Sequence, residues 1–125
     1  MSFLVTVLPP SVIITSSPSA VGYFEGLDLT LVCSIVLTTS VSTPVVVEGH
    51  WIRNGSVLES DDRTTVSSIS GRGTNYWTTI RFNPMTSNDS GTYLCMSTIT
   101  PQDMSYGAGA NNSDSETIEV FRGKL

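Results

Sequence analysis

The sequence predicts an all-β protein, built as a sandwich or barrel of short antiparallel strands. Its apolar residues are mostly β-branched, with thirteen valines and eight isoleucines among 125 residues, and such residues favour pleated strands. They alternate with serine and threonine, as expected of strands that bury one face. Turn signals recur every eight to twelve residues, a spacing typical of sandwiches and barrels.

Composition and charge exclude several classes of partner. Charged residues make up 14% of the chain, the net charge is −5, and Lys124 is the only lysine. No basic patch is available to contact a phosphate backbone, so we expect no nucleic acid partner. No apolar run approaches the roughly 20 residues that span a bilayer, so we expect no direct membrane insertion.

The first strands follow from proline positions and alternation. Phe3–Leu8 and Ser11–Thr15 are predicted to form one edge strand, interrupted at Pro9-Pro10 because proline cannot donate to a central ladder. Leu27–Ile35 alternates cleanly, and Val45–Arg53 forms the next strand after a polar loop. The inward-facing set of the alternating strand is predicted to be Leu27, Leu29, Leu31, Cys33 and Ile35.

The middle of the chain is organised by two glycine turns. Asn54-Gly55 predicts a tight hairpin, because both residues tolerate positive φ, and Ser56–Glu59 is the short return strand. Arg63–Ser70 is a predicted edge strand, and Gly71–Gly73 turns the chain into the strand Asn75–Asn83.

The last third contains a long segment without periodicity. After a turn at Asp89–Gly91, Thr92–Ile99 reads as a strand, and Glu116–Phe121 is the last one. The sixteen residues between them, Thr100–Ser115, are predicted to be a loop. A loop of that length in a compact domain is usually functional or disordered.

One constellation carries a family resemblance. Cys33 and Cys95 lie 62 positions apart, with Trp51 18 positions after the first, and Asp89-x-Gly91-x-Tyr93 leads into Cys95. This pattern resembles the immunoglobulin superfamily, over about residues 3–121. The residues that match it are Cys33, Trp51, Asp89, Gly91, Tyr93 and Cys95.

The resemblance implies a two-sheet antiparallel immunoglobulin-like β-sandwich with Greek-key topology and one inter-sheet disulfide, Cys33–Cys95. Trp51 would pack against that bridge, and the Tyr93 hydroxyl would return to the backbone at the preceding corner. We expect one domain over residues 3–121. Residues 1–2 and 122–125 are expected to be the edges of a piece cut from a longer chain.

The subtype stays open between intermediate and variable. Trp51–Leu58 resembles the Trp-x-x-x-Gly-x-x-Leu run of intermediate-type domains. The long segment from Cys33 to Trp51 and the long loop before the last strand are similar to variable domains. The Gly-x-Gly bulge of antigen-receptor joining segments is missing from the final strand, which argues against an antigen receptor.

No catalytic, cofactor-binding or metal-binding residue is predicted, and we expect no enzyme. His50 is the single histidine and should face outward, next to the inward Trp51. Glu59, Asp61 and Asp62 form a short acidic run that is better explained as a solvated turn than as a calcium site.

Three triplets fit the glycosylation acceptor pattern, beginning at Asn54, Asn88 and Asn111. All three fall on predicted turns. The immunoglobulin topology would place Asn54 and Asn88 at one end of the sandwich and Asn111 at the other. Together with a structural disulfide, they favour an oxidising, extracellular setting.

The resemblance implies an extracellular recognition module of a cell-surface receptor or adhesion protein, part of a plasma-membrane ectodomain with neighbouring domains. Receptor tyrosine kinases and neural-type adhesion molecules are the first families to consider. The partner would be a protein, including a copy of the domain itself. A structural spacer and a secreted immune-type binder are the alternatives.

The predicted binding surface is the outward face of the C–F–G sheet, in the strand letters of this family. Its candidate residues are His50, Ile52, Leu94, Met96 and Phe121, with Met104 and Tyr106 from the loop. Contiguous exposed apolar side chains usually mark interaction sites, and the outward set on strands B and E is mostly polar. In the alternative, the long loop folds back over Leu94 and Met96 and makes them a minor core.

Overall fold

A computed structural model describes residues 9–17, 23–37, 45–102 and 109–122. The strands in these ranges, with one 3₁₀ turn at Ser87–Asp89, are β1 (Ser11–Ser17), β2 (Tyr23–Phe24), β3 (Leu29–Val36), β4 (Val45–Arg53), β5 (Ser56–Val57), β6 (Thr64–Val66), β7 (Ser70–Arg72), β8 (Asn75–Phe82), β9 (Gly91–Pro101), β10 (Ala110–Ile118) and β11 (Val120–Phe121). The predicted strand at Phe3–Leu8 lies outside the described residues.

Two antiparallel sheets form the sandwich. The first has the order β1-β3-β8-β6, with β7 also paired to β8, and the second has the order β10-β9-β4-β5. In family letters these are the A–B–E–D and G–F–C–C′ sheets. A third pair, β2 with β11, is parallel, and two-residue strands show no alternation from which to predict it.

The two sheets share one core, which the Cys33–Cys95 disulfide crosses from β3 to β9. Leu29, Leu31, Cys33 and Ile35 are at most 3% exposed, and Trp51 is 1% exposed. The predicted fold class, an all-β two-sheet sandwich with an inter-sheet disulfide, is therefore confirmed.

Leu27 does not join this core, and its predicted inward orientation is wrong. The residue precedes β3 and is 54% exposed. Its backbone N–H donates to Phe24, and its carbonyl oxygen accepts the Met85 N–H. These bonds hold Leu27 in the turn that follows β2, so the alternation begins only at Leu29.

The described residues of the predicted loop Thr100–Ser115, which are 100–102 and 109–115, are mostly strand. β9 continues to Pro101, and β10 begins at Ala110, which lies opposite Ile99. The prediction failed because residues 111–117 of β10 are polar on both faces. On its inner face Asn112 donates to the Pro10 carbonyl at 2.8 Å, and Asp114 accepts the Ile14 N–H at 2.9 Å. These side chains hydrogen-bond to the backbone at the edge of β1. This part of β10 therefore lacks the apolar alternation from which a strand can be predicted.

Two smaller boundaries also differ. The predicted edge strand Arg63–Ser70 is divided into β6 and β7, which pair with different halves of β8. The turn into β8 lies at Gly73–Thr74 rather than across Gly71–Gly73, since Gly71 and Arg72 pair with Tyr76 and Asn75. The last strand is interrupted at Glu119, between β10 and β11.

Candidate functional site

The β4–β5 hairpin sets one end of the candidate surface. Asn54 and Gly55 have φ values of 55° and 79°, the positive values of a type I′ two-residue turn. This turn fixes the register, with Arg53 opposite Ser56 and Ile52 opposite Val57. Ile52 and Val57 therefore lie side by side on the outward face.

The strand register builds two adjacent rows across this face. His50 lies opposite Met96, and Met96 opposite Ser113. In the next row Ile52 lies opposite Leu94 and Leu94 opposite Ser115. Directly opposed side chains in antiparallel strands are within contact distance of one another. We call this set the sheet face; its members are His50, Ile52, Val57, Leu94 and Met96.

The sheet face is exposed at its margins and partly covered at its centre. Val57 is 57% and Met96 39% exposed, and His50 is also exposed. Ile52 and Leu94 are half-buried. Val57 was not among the predicted residues. The sequence does contain a signal for it, because a two-residue turn at Asn54-Gly55 places Val57 opposite Ile52.

One predicted partner-binding residue, Phe121, is not brought into these rows. Phe121 lies in β11, which pairs with β2 rather than with β9, and its ring lies 5.9 Å from the Phe24 ring between centroids. Met104 and Tyr106 lie outside the described residues. The prediction that Phe121 belongs to the same face is wrong, since the chain leaves the sheet after Ile118.

The opposite outer face is less polar than strands B and E suggested. Ile13 is 54% and Trp77 47% exposed, and both lie on the outward side of the first sheet. Ser34 lies between them in the register. Two strand spacings therefore separate the two side chains, about 10 Å, whereas Ile52, Leu94 and Val57 occupy consecutive strands.

Beneath the hairpin end, the signature residues form a hydrogen-bonded corner. The Tyr93 hydroxyl donates to the Asp89 carbonyl at 2.6 Å. The Asp89 carboxylate accepts the Thr86 N–H at 2.7 Å and forms a 3.2 Å ion pair with Arg63. The Arg53 guanidinium lies 5.2 Å from the centre of the Tyr93 ring. Burial raises the pKa of Tyr93 to about 12.

The acidic run after the hairpin is tied into a turn. Asp61 Oδ1 accepts the backbone N–H groups of Arg63 and Thr64 at 2.9 and 2.8 Å. These two bonds, the Arg63 bond first, lower the pKa of Asp61 because they favour its charged form. Among the described residues, no group of three or more His, Cys, Asp or Glu side chains is placed to hold a metal ion.

All three candidate glycosylation residues are exposed. Arg53, next to Asn54, donates from its guanidinium to the Asn88 carbonyl, so Asn54 and Asn88 lie at the same end of the sandwich. Asn111 is opposite Thr98 near the other end of β9. It lies in strand β10, so its predicted position on a turn is wrong.

The comparison with protein families decides the assignment. A family described as immunoglobulin domain matches residues 9–98, which is more than two thirds of the chain and includes both cysteines, Trp51 and the tyrosine corner. This chain belongs to the immunoglobulin domain family. Immunoglobulin domains are typically binding or structural modules. A comparison with curated proteins found no match.

Two further observations bear on the setting of this immunoglobulin domain. Its disulfide fits an extracellular environment, where such bonds form and persist. No helix in the described ranges is long and apolar enough to cross a membrane.

Proposed function

We propose that this immunoglobulin domain is an extracellular recognition module of a cell-surface receptor or adhesion protein, and that it binds a protein partner through the sheet face. A receptor tyrosine kinase ectodomain is one such parent. The domain would lie beside neighbouring domains in a longer ectodomain. A copy of the domain itself is one of the partners that this proposal includes.

The contiguity of the sheet face is the observation that carries the proposal. Val57, Ile52 and Leu94 occupy one row on three consecutive strands, and Met96 lies in the next row. Full burial of an apolar side chain of this size contributes roughly 1.5–3 kcal/mol, and the exposed Val57 and Met96 forgo much of that contribution. Contiguous apolar patches of this kind mark interaction sites more often than single exposed residues do.

The spacer alternative predicts that the residues of the sheet face have no binding role. A domain that only separates its neighbours needs no contiguous apolar face, and its side faces would tolerate charge. A secreted immune-type binder would use the sheet face in the same way as a receptor module. The two are distinguished by the full-length protein to which the domain belongs, and not by this surface.

Association of the isolated domain tests the proposal. Sedimentation at increasing concentration measures self-association, and binding of a fluorescent multivalent form to cultured animal cells measures heterophilic partners. We expect one of these signals, and we expect Met96→Asp and Val57→Asp to reduce it at least tenfold. Ile13→Asp, on the opposite outer face, is the matched control and should leave the signal unchanged.

Two results would contradict the proposal. If neither assay gives a signal for the unmodified domain, the spacer reading is favoured. If Ile13→Asp or Trp77→Ser abolishes the signal while Met96→Asp does not, the binding surface is the outer face of the first sheet.

A further inference from the structure

Within the described part of the chain, the edge of β4 that faces away from β9 is largely unpaired. β5 pairs only with Ile52 and Arg53, and no strand in the described ranges pairs with residues 45–50 on that side. The Trp51 carbonyl accepts the Leu58 N–H at 2.7 Å, so the Trp51 backbone points toward this edge. Because backbone groups alternate along an antiparallel strand, Val47 and Gly49 point the same way.

A groove of about 430 Å³ follows this edge. It is lined by residues 47–51 of β4, residues 57–60, Val66 at the end of β6, residues 67–69 between β6 and β7, and Thr78. Successive side chains of a strand point to opposite faces. Five consecutive β4 residues can therefore line the same groove only through their backbone. The groove therefore runs along the free hydrogen-bonding edge, and its volume is in the range of ligand pockets.

The wall opposite β4 is held in place by hydrogen bonds. The Thr78 hydroxyl donates to the Ser67 carbonyl at 2.8 Å, and the Thr79 N–H donates to the Ser67 hydroxyl at 2.9 Å. A Cβ on Gly49 would lie 3.2 Å from the Ile69 Cδ1 atom, so the missing side chain allows Ile69 to approach β4. The groove is thus preformed, with an apolar interior from Val47 and Ile69.

The charges around the groove are acidic. Glu48 and Glu59 line it and are exposed, and the exposed Asp62 lies three residues beyond Glu59. No lysine or arginine is among the described residues that line it. A second copy of a chain with net charge −5 is a poor electrostatic complement, whereas a basic segment is a good one.

We propose that this groove binds an extended, basic peptide segment of a partner protein, which adds as a strand to β4 beside Val47 and Gly49. Main-chain hydrogen bonds to a sheet edge supply affinity in this recognition mode, and pockets for alternate side chains supply specificity. The apolar interior takes one side chain of the segment, and Glu48 and Glu59 attract its flanking lysines or arginines. The groove shares His50 and Val57 with the sheet face, but the proposal rests on the backbone edge of β4 and does not depend on the function proposed for that face.

The test is a titration of the ¹⁵N-labelled domain with an acetylated, amidated heptapeptide of alternating lysine and valine. We expect saturable chemical-shift changes at Val47, Gly49 and residues 66–69. A peptide of the same side chains that is N-methylated at every residue should not bind, because it cannot donate to a strand edge. The double variant Glu48→Lys/Glu59→Lys should weaken binding roughly tenfold.

Glu119→Lys supplies the matched charge control, since Glu119 is exposed and follows β10 at the opposite edge of the same sheet. The proposal is wrong if this variant weakens binding as much as the groove variants do, which would indicate general charge attraction. It is also wrong if the N-methylated peptide binds equally well, or if no saturable change occurs up to millimolar peptide.

Two further outcomes would identify a different occupant and overturn the proposal. Slow hydrogen exchange of the Val47 and Gly49 amides without peptide would mean that the chain itself covers the edge. Shift changes at the same amides that grow with protein concentration would mean that a second copy does.

Discussion

The Tyr93 hydroxyl donates a 2.6 Å hydrogen bond to the backbone carbonyl of Asp89, four residues earlier. This bond closes the corner that leads into β9, and the Asp89 carboxylate anchors the same corner to Thr86 and Arg63. The strand that starts there carries Cys95 inward and Leu94 and Met96 outward. The corner therefore positions both the disulfide and the sheet face.

Removing the Tyr93 hydroxyl tests the stabilising role of this bond. In Tyr93→Phe the ring still packs against Phe82, but the Asp89 carbonyl loses its donor. We expect the free energy of unfolding at pH 7 to fall by about 1–2 kcal/mol, measured by urea denaturation. Tyr23→Phe, at a half-buried tyrosine in the parallel pair, is the control. Equal losses in the two variants would contradict a special role for the corner.

The same residue predicts a loss of stability at alkaline pH. Burial raises the pKa of Tyr93 from the ordinary value of 10.0 to about 12, so the unfolded chain releases this proton at lower pH than the folded chain. The free energy of unfolding falls as pH rises from 10 to 12, by about 1.4 kcal/mol per unit from this group. Tyr93→Phe should lose less stability over this interval. Identical pH profiles for the two proteins would rule out this contribution.

The Cys33–Cys95 bridge joins the sheets across 62 positions of sequence. Replacing both cysteines with alanine should lower the free energy of unfolding by about 4 kcal/mol, because the unfolded chain gains the entropy of an open loop. Denaturation without reductant measures the difference. Alkylation of the unreduced wild-type protein, followed by intact mass, should add no label; two labelled thiols would contradict the bridge.

Asp114 on β10 binds the edge of β1 through its bond to the Ile14 N–H. Asp114→Ala should lower the free energy of unfolding by about 1.5–3 kcal/mol, since a charged acceptor is lost from a partly buried strand edge. Hydrogen exchange at the Ile14 amide should become faster. Ser113→Ala, the outward-facing neighbour, is the control and should change neither quantity. Unchanged hydrogen exchange at the Ile14 amide in Asp114→Ala would show that the Ile14–Asp114 hydrogen bond is not formed.

A glycan on Asn111 would lie beside the sheet face. Asn111 is opposite Thr98 on the outward side of β10, one row from Met96 and Ser113. If the protein is secreted from animal cells and Asn111 is occupied, Asn111→Gln should strengthen association through the sheet face, measured by the cell-binding assay. Asn88→Gln, in the 3₁₀ turn between β8 and β9 and outside the rows of the sheet face, is the comparison. Peptide mapping that finds all three asparagines bare would count against the extracellular assignment.

The sequence predicted those elements whose buried face is apolar. Leu29 to Ile35 alternate because one side of β3 fills the core, and Cys33, Trp51 and Tyr93 have the spacings of the immunoglobulin pattern. The first part of β10, Ala110–Ser115, was missed because its inner face, with Asn112 and Asp114, bonds to backbone instead of packing against apolar residues. The two-residue β2 is too short for any periodicity to show its pairing.

The sheet face was predictable in part for the same reason. Outward orientation of His50, Ile52, Leu94 and Met96 followed from alternation around Trp51 and Cys95. Val57 required the hairpin register, and Phe121 was misassigned because the break at Glu119 moves it into a separate strand pair. The groove beside β4 was not predictable, since it depends on where β5 ends and on the division between β6 and β7.

The melting temperature of Met96→Asp is the most direct measurement of the central claim, that the sheet face is an exposed binding surface. Met96 is 39% exposed and faces outward, so an aspartate there stays solvated and the melting temperature should remain within about 2 °C of the wild type while association is lost. A fall of about 10 °C or more, with association unchanged, would show that the chain itself buries Met96 and that the sheet face is a minor core.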